Sequence, residues 1–116
     1  MNSRNEVKVL SGDSCEWRLN GKRHREGGPA VEGTDGHNEW YRNGKLHRED
    51  GPAIEWANGT RVWMTDGYYH REDGPAIERS DGTCWWYFRG RLIPVHSLEE
   101  FREATRLLMI EEVQES

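Results

Sequence analysis

Residues 40–62 read WYRNGKLHREDGPAIEWANGTRV, and the chain around them says much the same thing every 23 residues. Trp17, Trp40, Trp63 and Trp86 keep that step. So do His24-Arg25-Glu26, His47-Arg48-Glu49 and His70-Arg71-Glu72, and also Gly28-Pro29-Ala30, Gly51-Pro52-Ala53 and Gly74-Pro75-Ala76. Several motifs sharing one period define a tandem array, whose units bury their faces by stacking on one another. Within the unit, Asn43-Gly44 is the strongest short hairpin signal, because both central residues of such a turn take φ > 0. Asn20-Gly21, Asp66-Gly67 and Arg89-Gly90 repeat it, and Asp35-Gly36, Asn58-Gly59 and Asp81-Gly82 form a second series of turns. Alternating turns at fixed spacing predict a β-meander. Proline cannot donate to a central ladder, so each Gly-Pro-Ala marks a bend, and bends at one height predict a twisted single-layer sheet.

Strand alternation places Arg61, Trp63 and Thr65 on one face and Val62 with Met64 on the other. The same rule sets Cys84, Trp86 and Phe88 against Trp85 and Tyr87. Earlier in the chain the second face reads Glu16 and Arg18, then Glu39 and Tyr41. The Trp column is thus expected to be the core stripe, with the opposite face wet early and covered late. The expected cover is the C-terminal segment. Ser97 with Glu100 is a capping box, and Leu98, Phe101, Leu108 and either Ala104 or Thr105 share one face of a helix running to about Val113. Leu107, Ile110 and Val113 widen that stripe. Residues 1–96 form the repeat array and residues 97–116 an acidic helix and tail.

Leu, Ile, Val and Phe make up only nineteen of 116 residues, a shortage that six Trp and four Tyr offset. Each ring can bury roughly 150–250 Å². No apolar run approaches the roughly 20 residues of a membrane span, and the start lacks a signal-peptide pattern, so a cytoplasmic location is expected. The formal net charge of −5 is mostly carried by the tail, which leaves the array nearly neutral, without a basic footprint for nucleic acid. Cys15 and Cys84 are 69 residues apart, three periods, which on this architecture separates them by roughly 29 Å and excludes a bridge between them.

The His-Arg-Glu triplets invite a metal reading, but equivalent histidines should sit about 9.6 Å apart, too far to share one ion. They are read as structural, with Arg and Glu pairing across strands and His donating to a carbonyl or carboxylate near the bend. His37 and His96 stand outside the triplets and are read as surface residues. No catalytic residue, metal or cofactor is expected. Functional information is expected where one repeat departs from its siblings. Tyr68 and Tyr69 replace Lys45 and Leu46, Trp56 replaces Gly33 and Arg79, and Trp85 replaces Glu39 and Val62. With Tyr87 these aromatics form the candidate partner-binding patch, since Trp and Tyr dominate binding hot spots. The alternative is that they pack beneath the C-terminal helix.

The string Trp40-x-x-Asn43-Gly44-Lys45-x-His47, followed by Gly51 and the Asp-Gly turns, resembles the MORN repeat. The longer run Asn43 to Ala53 is similar to a divergent subgroup found in proteins of tailed bacteriophages, large viruses and some bacteria. The resemblance covers roughly residues 6–101. It implies stacked hairpins serving as a scaffold or binding surface, and it brings no catalytic residues. The expectation is a protein-binding module, phage-encoded on that resemblance, that inhibits a host defence protein by occlusion in the host cytoplasm. The alternative is a self-associating scaffold, a homodimer included, joined through the edge strand near residues 6–10. A membrane-associating module is a lesser alternative, because the acidic tail would be repelled by anionic headgroups.

Overall fold

The computed structural model describes residues 6–115, with side chains placed as far as Glu112, so Val113 falls outside the side chains described. The strands are β1 (Glu6–Ser11), β2 (Ser14–Leu19), β3 (Lys22–Arg23), β4 (Val31–Glu32), β5 (Asn38–Glu39), β6 (Tyr41–Arg42) and β7 (Lys45–Leu46). They continue as β8 (Ile54–Glu55), β9 (Arg61–Val62), β10 (Met64–Thr65), β11 (Tyr68–Tyr69), β12 (Ile77–Glu78), β13 (Cys84–Phe88) and β14 (Arg91–Ile93). One helix, α1 (Leu98–Glu115), ends the chain. Every pairing is antiparallel, and the main sheet runs β1-β2-β4-β5-β8-β9-β12-β13-β14, a meander with no closed barrel. The molecule measures 46 × 38 × 18 Å, the thin dimension expected of one sheet layer and a helix.

The two middle repeats divide at Trp40 and Trp63: residues before the tryptophan join the main sheet and residues after it form a separate hairpin, β6–β7 or β10–β11, whereas β2 and β13 run unbroken through Trp17 and Trp86. The indole-bearing residue pairs with both legs. Trp40 N–H donates to the Ala53 carbonyl at 2.7 Å, and the Trp40 carbonyl accepts from His47 N–H at 3.0 Å. Trp17 and Trp63 repeat both bonds. Ala30, Ala53 and Ala76 are fully buried at this crossing.

The two turn series differ. Asn43 (φ 52) and Gly44 (φ 83) both lie in the left-handed region, as do their equivalents, which is the type I′ geometry predicted. In the second series only the glycine is left-handed, at Gly36, Gly59 and Gly82. There Gly59 N–H donates to the Trp56 carbonyl and Trp56 N–H to Thr60, a type I turn closed by a left-handed glycine rather than a two-residue turn. Thr60 N–H is held by the Asn58 side chain at 3.0 Å, which accounts for Asn or Asp before that glycine.

Two apolar clusters hold the sheet. Ala53, Val62 and Met64 pack with Leu46, Ile54 and Ile77 in the middle of the array. Trp86, Phe88, Ile93 and Phe101 form the second cluster, with Val95, Leu98, Ala104 and Leu108 around them. Placement of the helix departs from expectation. Trp86 and Phe88 face the same way on β13, paired with Ile93 and Arg91 of β14, and α1 covers that face. The Trp column, not its opposite, is the face that ends under the helix. Phe101 lies 5.1 Å from the Trp86 ring centroid and is fully buried. Val62 and Met64 are buried without a helix, by neighbouring aliphatic side chains of the sheet itself. The cap forms nearly as read: Glu100 N–H donates to Ser97 Oγ at 3.1 Å, while the Glu100 carboxylate accepts from His96 N–H, one residue before the expected partner. Leu107 and Ile110 do not widen the packed stripe but stay exposed.

Candidate functional site

Trp17, Trp40 and Trp63 are only half-buried, and an arginine of the same repeat lies over each of them. The guanidinium carbons of Arg25, Arg48 and Arg71 stand 3.7, 3.8 and 3.7 Å from the ring centroids of Trp17, Trp40 and Trp63. Each guanidinium also donates to the proline carbonyl of its Gly-Pro-Ala, at 3.1, 3.0 and 3.0 Å. Glu32, Glu55 and Glu78 complete the pairing across the strands. On the far side sits the glycine: a Cβ at Gly51 would lie 3.0 Å from Arg48 Cζ, and one at Gly74 2.7 Å from Arg71 Cζ. Three motifs spread along the repeat therefore form one object, an indole, a guanidinium and a glycine in layers. The fourth tryptophan has no such arginine and takes Phe101 as its ring partner.

Histidine makes the predicted contact with a carboxylate near the bend and adds a second bond at its other ring nitrogen. Nδ1 of His24, His47 and His70 accepts the backbone N–H of Asn43, Asp66 and Arg89, at 3.1, 3.0 and 2.8 Å. These donors are the first left-handed residues of the next repeat's hairpin turn. Accepting at Nδ1 fixes the neutral tautomer with its proton on Nε2, which points at Glu26, Glu49 and Glu72 at 3.5, 3.4 and 3.4 Å. The triplet is thus a joint between repeats. This also decides the one group of potential metal ligands found among the described residues, Glu6, His24 and Glu26, whose donor atoms lie within 4.8 Å of one another. Coordination would need the Nε2 lone pair, which that tautomer lacks, so the trio does not suit a metal.

Open clefts between successive repeats lie on this side, with volumes of about 640 and 940 Å³. Their charged walls are already paired: Arg42 bridges Glu49 at 3.1 Å and Asp66 at 3.3 Å.

The opposite face changes character along the array. At its beginning Arg23 lies between Glu16 and the Tyr41 hydroxyl, at 3.3 and 3.1 Å, and Arg18 reaches Glu16 at 2.6 Å. Partial burial pushes the Glu16 carboxyl up, but the hydrogen bonds from Arg18 and Arg23 outweigh it and hold the group below its ordinary value. Burial and the Glu39 carboxylate raise the Tyr41 phenol, against the pull of Arg23. Next along, His37 contacts Glu39 at 2.6 Å and its ring lies 4.3 Å from Trp56. His37 was read as an isolated surface residue; it stands where the other repeats carry Ser14, Thr60 and Thr83, and that substitution was the available signal. At the far end the face turns aromatic and open. Tyr69 and Tyr87 are 4.9 Å apart, Leu92 pairs across from Tyr87, and Trp85 follows Tyr87 on the same face of β13. Trp85, Tyr69 and Leu92 are 42, 39 and 46% exposed, uncovered by α1.

The five candidate positions therefore divide. Tyr69, Trp85 and Tyr87 come together, with Leu92 as a member that sequence reading missed. Trp56 sits with His37 toward the charged half. Tyr68 pairs with Thr65 and lines a small cleft with His70 and Arg89, on the helix-bearing side. Both cysteines are free thiols, Cys84 exposed and Cys15 less so. No described helix is long and apolar enough to cross a membrane. Comparison with protein-family models, curated proteins and solved structures gives no match for this chain.

Proposed function

We propose that the chain is a non-enzymatic protein-binding module whose contact surface is the aromatic end of the face opposite α1. The observation that carries this reading is the exposed group Tyr69, Trp85 and Leu92 around half-buried Tyr87, with Tyr69 and Trp85 at positions where the last units depart from the repeat. Large apolar side chains gathered in the open are costly to a sheet that gains no packing from them, and Trp and Tyr are the residues most enriched at binding hot spots. Joined to the resemblance to MORN-like repeats of bacteriophages, this supports a phage-encoded protein that occludes a host protein in the host cytoplasm. Capture from host lysate by the intact chain, compared with Trp85→Asp/Tyr69→Asp, tests it. The expected result is a stoichiometric partner recovered by the first and lost by the second. Recovery of one partner equally by both sinks the assignment of the surface, and recovery of none by either sinks the function.

A second reading is favoured by β1, which among the described residues pairs only with β2 at the edge of the sheet, and on which Val7, Val9 and Leu10 are 59, 39 and 69% exposed. Such an edge is a template for a second copy of the chain. Light scattering that shows a concentration-dependent dimer abolished by Val9→Lys would favour this reading, and a monomer at every concentration would remove it.

A further inference from the structure

The three histidine joints are alike in their bond and unlike in the residue that supplies it: Asn43, then Asp66, then Arg89. A proton added at Nδ1 turns the acceptor into a donor, so an N–H faces an N–H and the bond is lost. What surrounds each ring decides how the added charge is received. At His47 the Asp66 carboxylate lies 3.4 Å from Nδ1 and can take the new N–H. At His24 the carboxylates of Glu6 and Glu26 lie 3.9 and 3.5 Å from Nε2 and offset the charge, while the turn residue Asn43 is uncharged.

At His70 the turn residue brings a cation. Glu72, 3.4 Å from Nε2, is as open to solvent as Glu49 is at the preceding joint, so the difference lies in the turn residue. Asp66 and Arg89 border the cleft that His70 lines, and Arg71 is committed to Trp63. From α1, Glu112 approaches only through its two 2.8 Å contacts with Arg89. His70 also packs on Phe88 at 5.1 Å, and Phe88 packs on Phe101 of the helix.

We infer that the junction at His70 is a proton-sensitive latch: acidification releases the last hairpin and its helix from the array, while the two earlier hairpins stay docked through the carboxylates beside His24 and His47. Protonated His70 loses its bond to the Arg89 amide, while the Arg89 guanidinium lies 4.9 Å from the same Phe88 ring on which His70 packs. The loss passes to α1 through Phe88–Phe101 and Arg89–Glu112. The apolar surface around Trp86 and Ile93 is then uncovered.

The test is amide hydrogen exchange on the full chain from about pH 8 to about pH 5.5, the range in which imidazole takes up a proton, corrected for intrinsic exchange. Protection at Arg89 and across α1 is expected to fall about tenfold, the equilibrium worth of roughly one net hydrogen bond. Protection at Gly44 and Gly67, whose N–H groups donate to the Arg23 and Leu46 carbonyls of the preceding repeat, is expected to hold, while that at Gly90, bonded to the Tyr69 carbonyl, falls with Arg89. His70→Asn, which keeps an acceptor and removes the titration, is expected to flatten the response. Equal loss at all three turns overturns the latch, as does an unchanged response in His70→Asn. Nitrogen NMR of the unsubstituted chain gives an independent check: a His70 proton on Nδ1 at neutral pH refutes the proposal, and one on Nε2 supports it.

Discussion

Replacing Gly74 by alanine tests the layered stack of indole, guanidinium and glycine. The added Cβ would sit 2.7 Å from Arg71 Cζ and 2.9 Å from Nη1. An arginine tip can ordinarily swing aside. Here it is held 3.7 Å from the Trp63 ring, 3.0 Å from the Pro75 carbonyl and 2.9 Å from Glu78. Moving it forfeits part of a cation–π contact worth about 0.5–2 kcal/mol and part of a charged hydrogen bond worth about 1.5–3 kcal/mol. Against this stands a gain of about 0.4–1 kcal/mol from stiffening the unfolded chain, available because Gly74 does not have positive φ. Net destabilisation of about 1–3 kcal/mol follows from these figures, read from urea unfolding followed by tryptophan fluorescence. The order should be Gly74→Ala, then Gly51→Ala, then Gly28→Ala, because the closest approach to Cζ relaxes from 2.7 to 3.0 to 3.2 Å. Gly27→Ala is the control: its Cβ meets nothing within 4 Å, so only the gain remains. In an Arg71→Ala background the Gly74 substitution should become neutral or stabilising. A coupling below about 0.5 kcal/mol in that double-mutant cycle would refute the stack as the reason for the glycine.

Two further outcomes follow from other parts of the fold. Phe101→Ala should cost about 3–5 kcal/mol at the C-terminal end, since it empties a fully buried position; exchange protection should collapse in α1 and persist in β1 and β2, and uniform loss along the chain would contradict the repeat-by-repeat picture. Tyr41 should ionise above the ordinary phenol value of 10.0. Its folded-state preference for the neutral form is fully present below that value and is lost as pH rises through the raised one, so alkaline unfolding of the native chain should be steeper than that of Tyr41→Phe.

What could be read in advance was whatever depends on neighbours along the chain. Asn43-Gly44 announces its turn because the two dihedral angles are properties of those residues. Ser97 and Glu100 announce the start of the helix in the same way. The contacts that give the repeat its composition were hidden because they are made through space. Arg48 is eight positions from the ring it covers, and His47 binds a residue nineteen positions ahead. The side of the helix was misread for a related reason. Alternation identifies two faces but not which one is already filled, and here Val62 and Met64 are buried by Leu46, Ile54 and Ile77. That leaves the indole side of the final unit as the open position for Phe101. The candidate surface was legible as a set of departures, and alternation already sets Tyr68 and Tyr69 on opposite faces, but the cross-strand pairing that brings Leu92 to Tyr87 was not.

The histidine joint always reaches forward into the next unit, while the arginine stack closes within its own. Every seam is therefore cut to the same pattern, and a gene that gains or drops one whole unit by unequal crossover rejoins edges that still match. A slip of any other length would set an imidazole against the wrong amide. Such a protein can change its reach in single steps without redesigning either end.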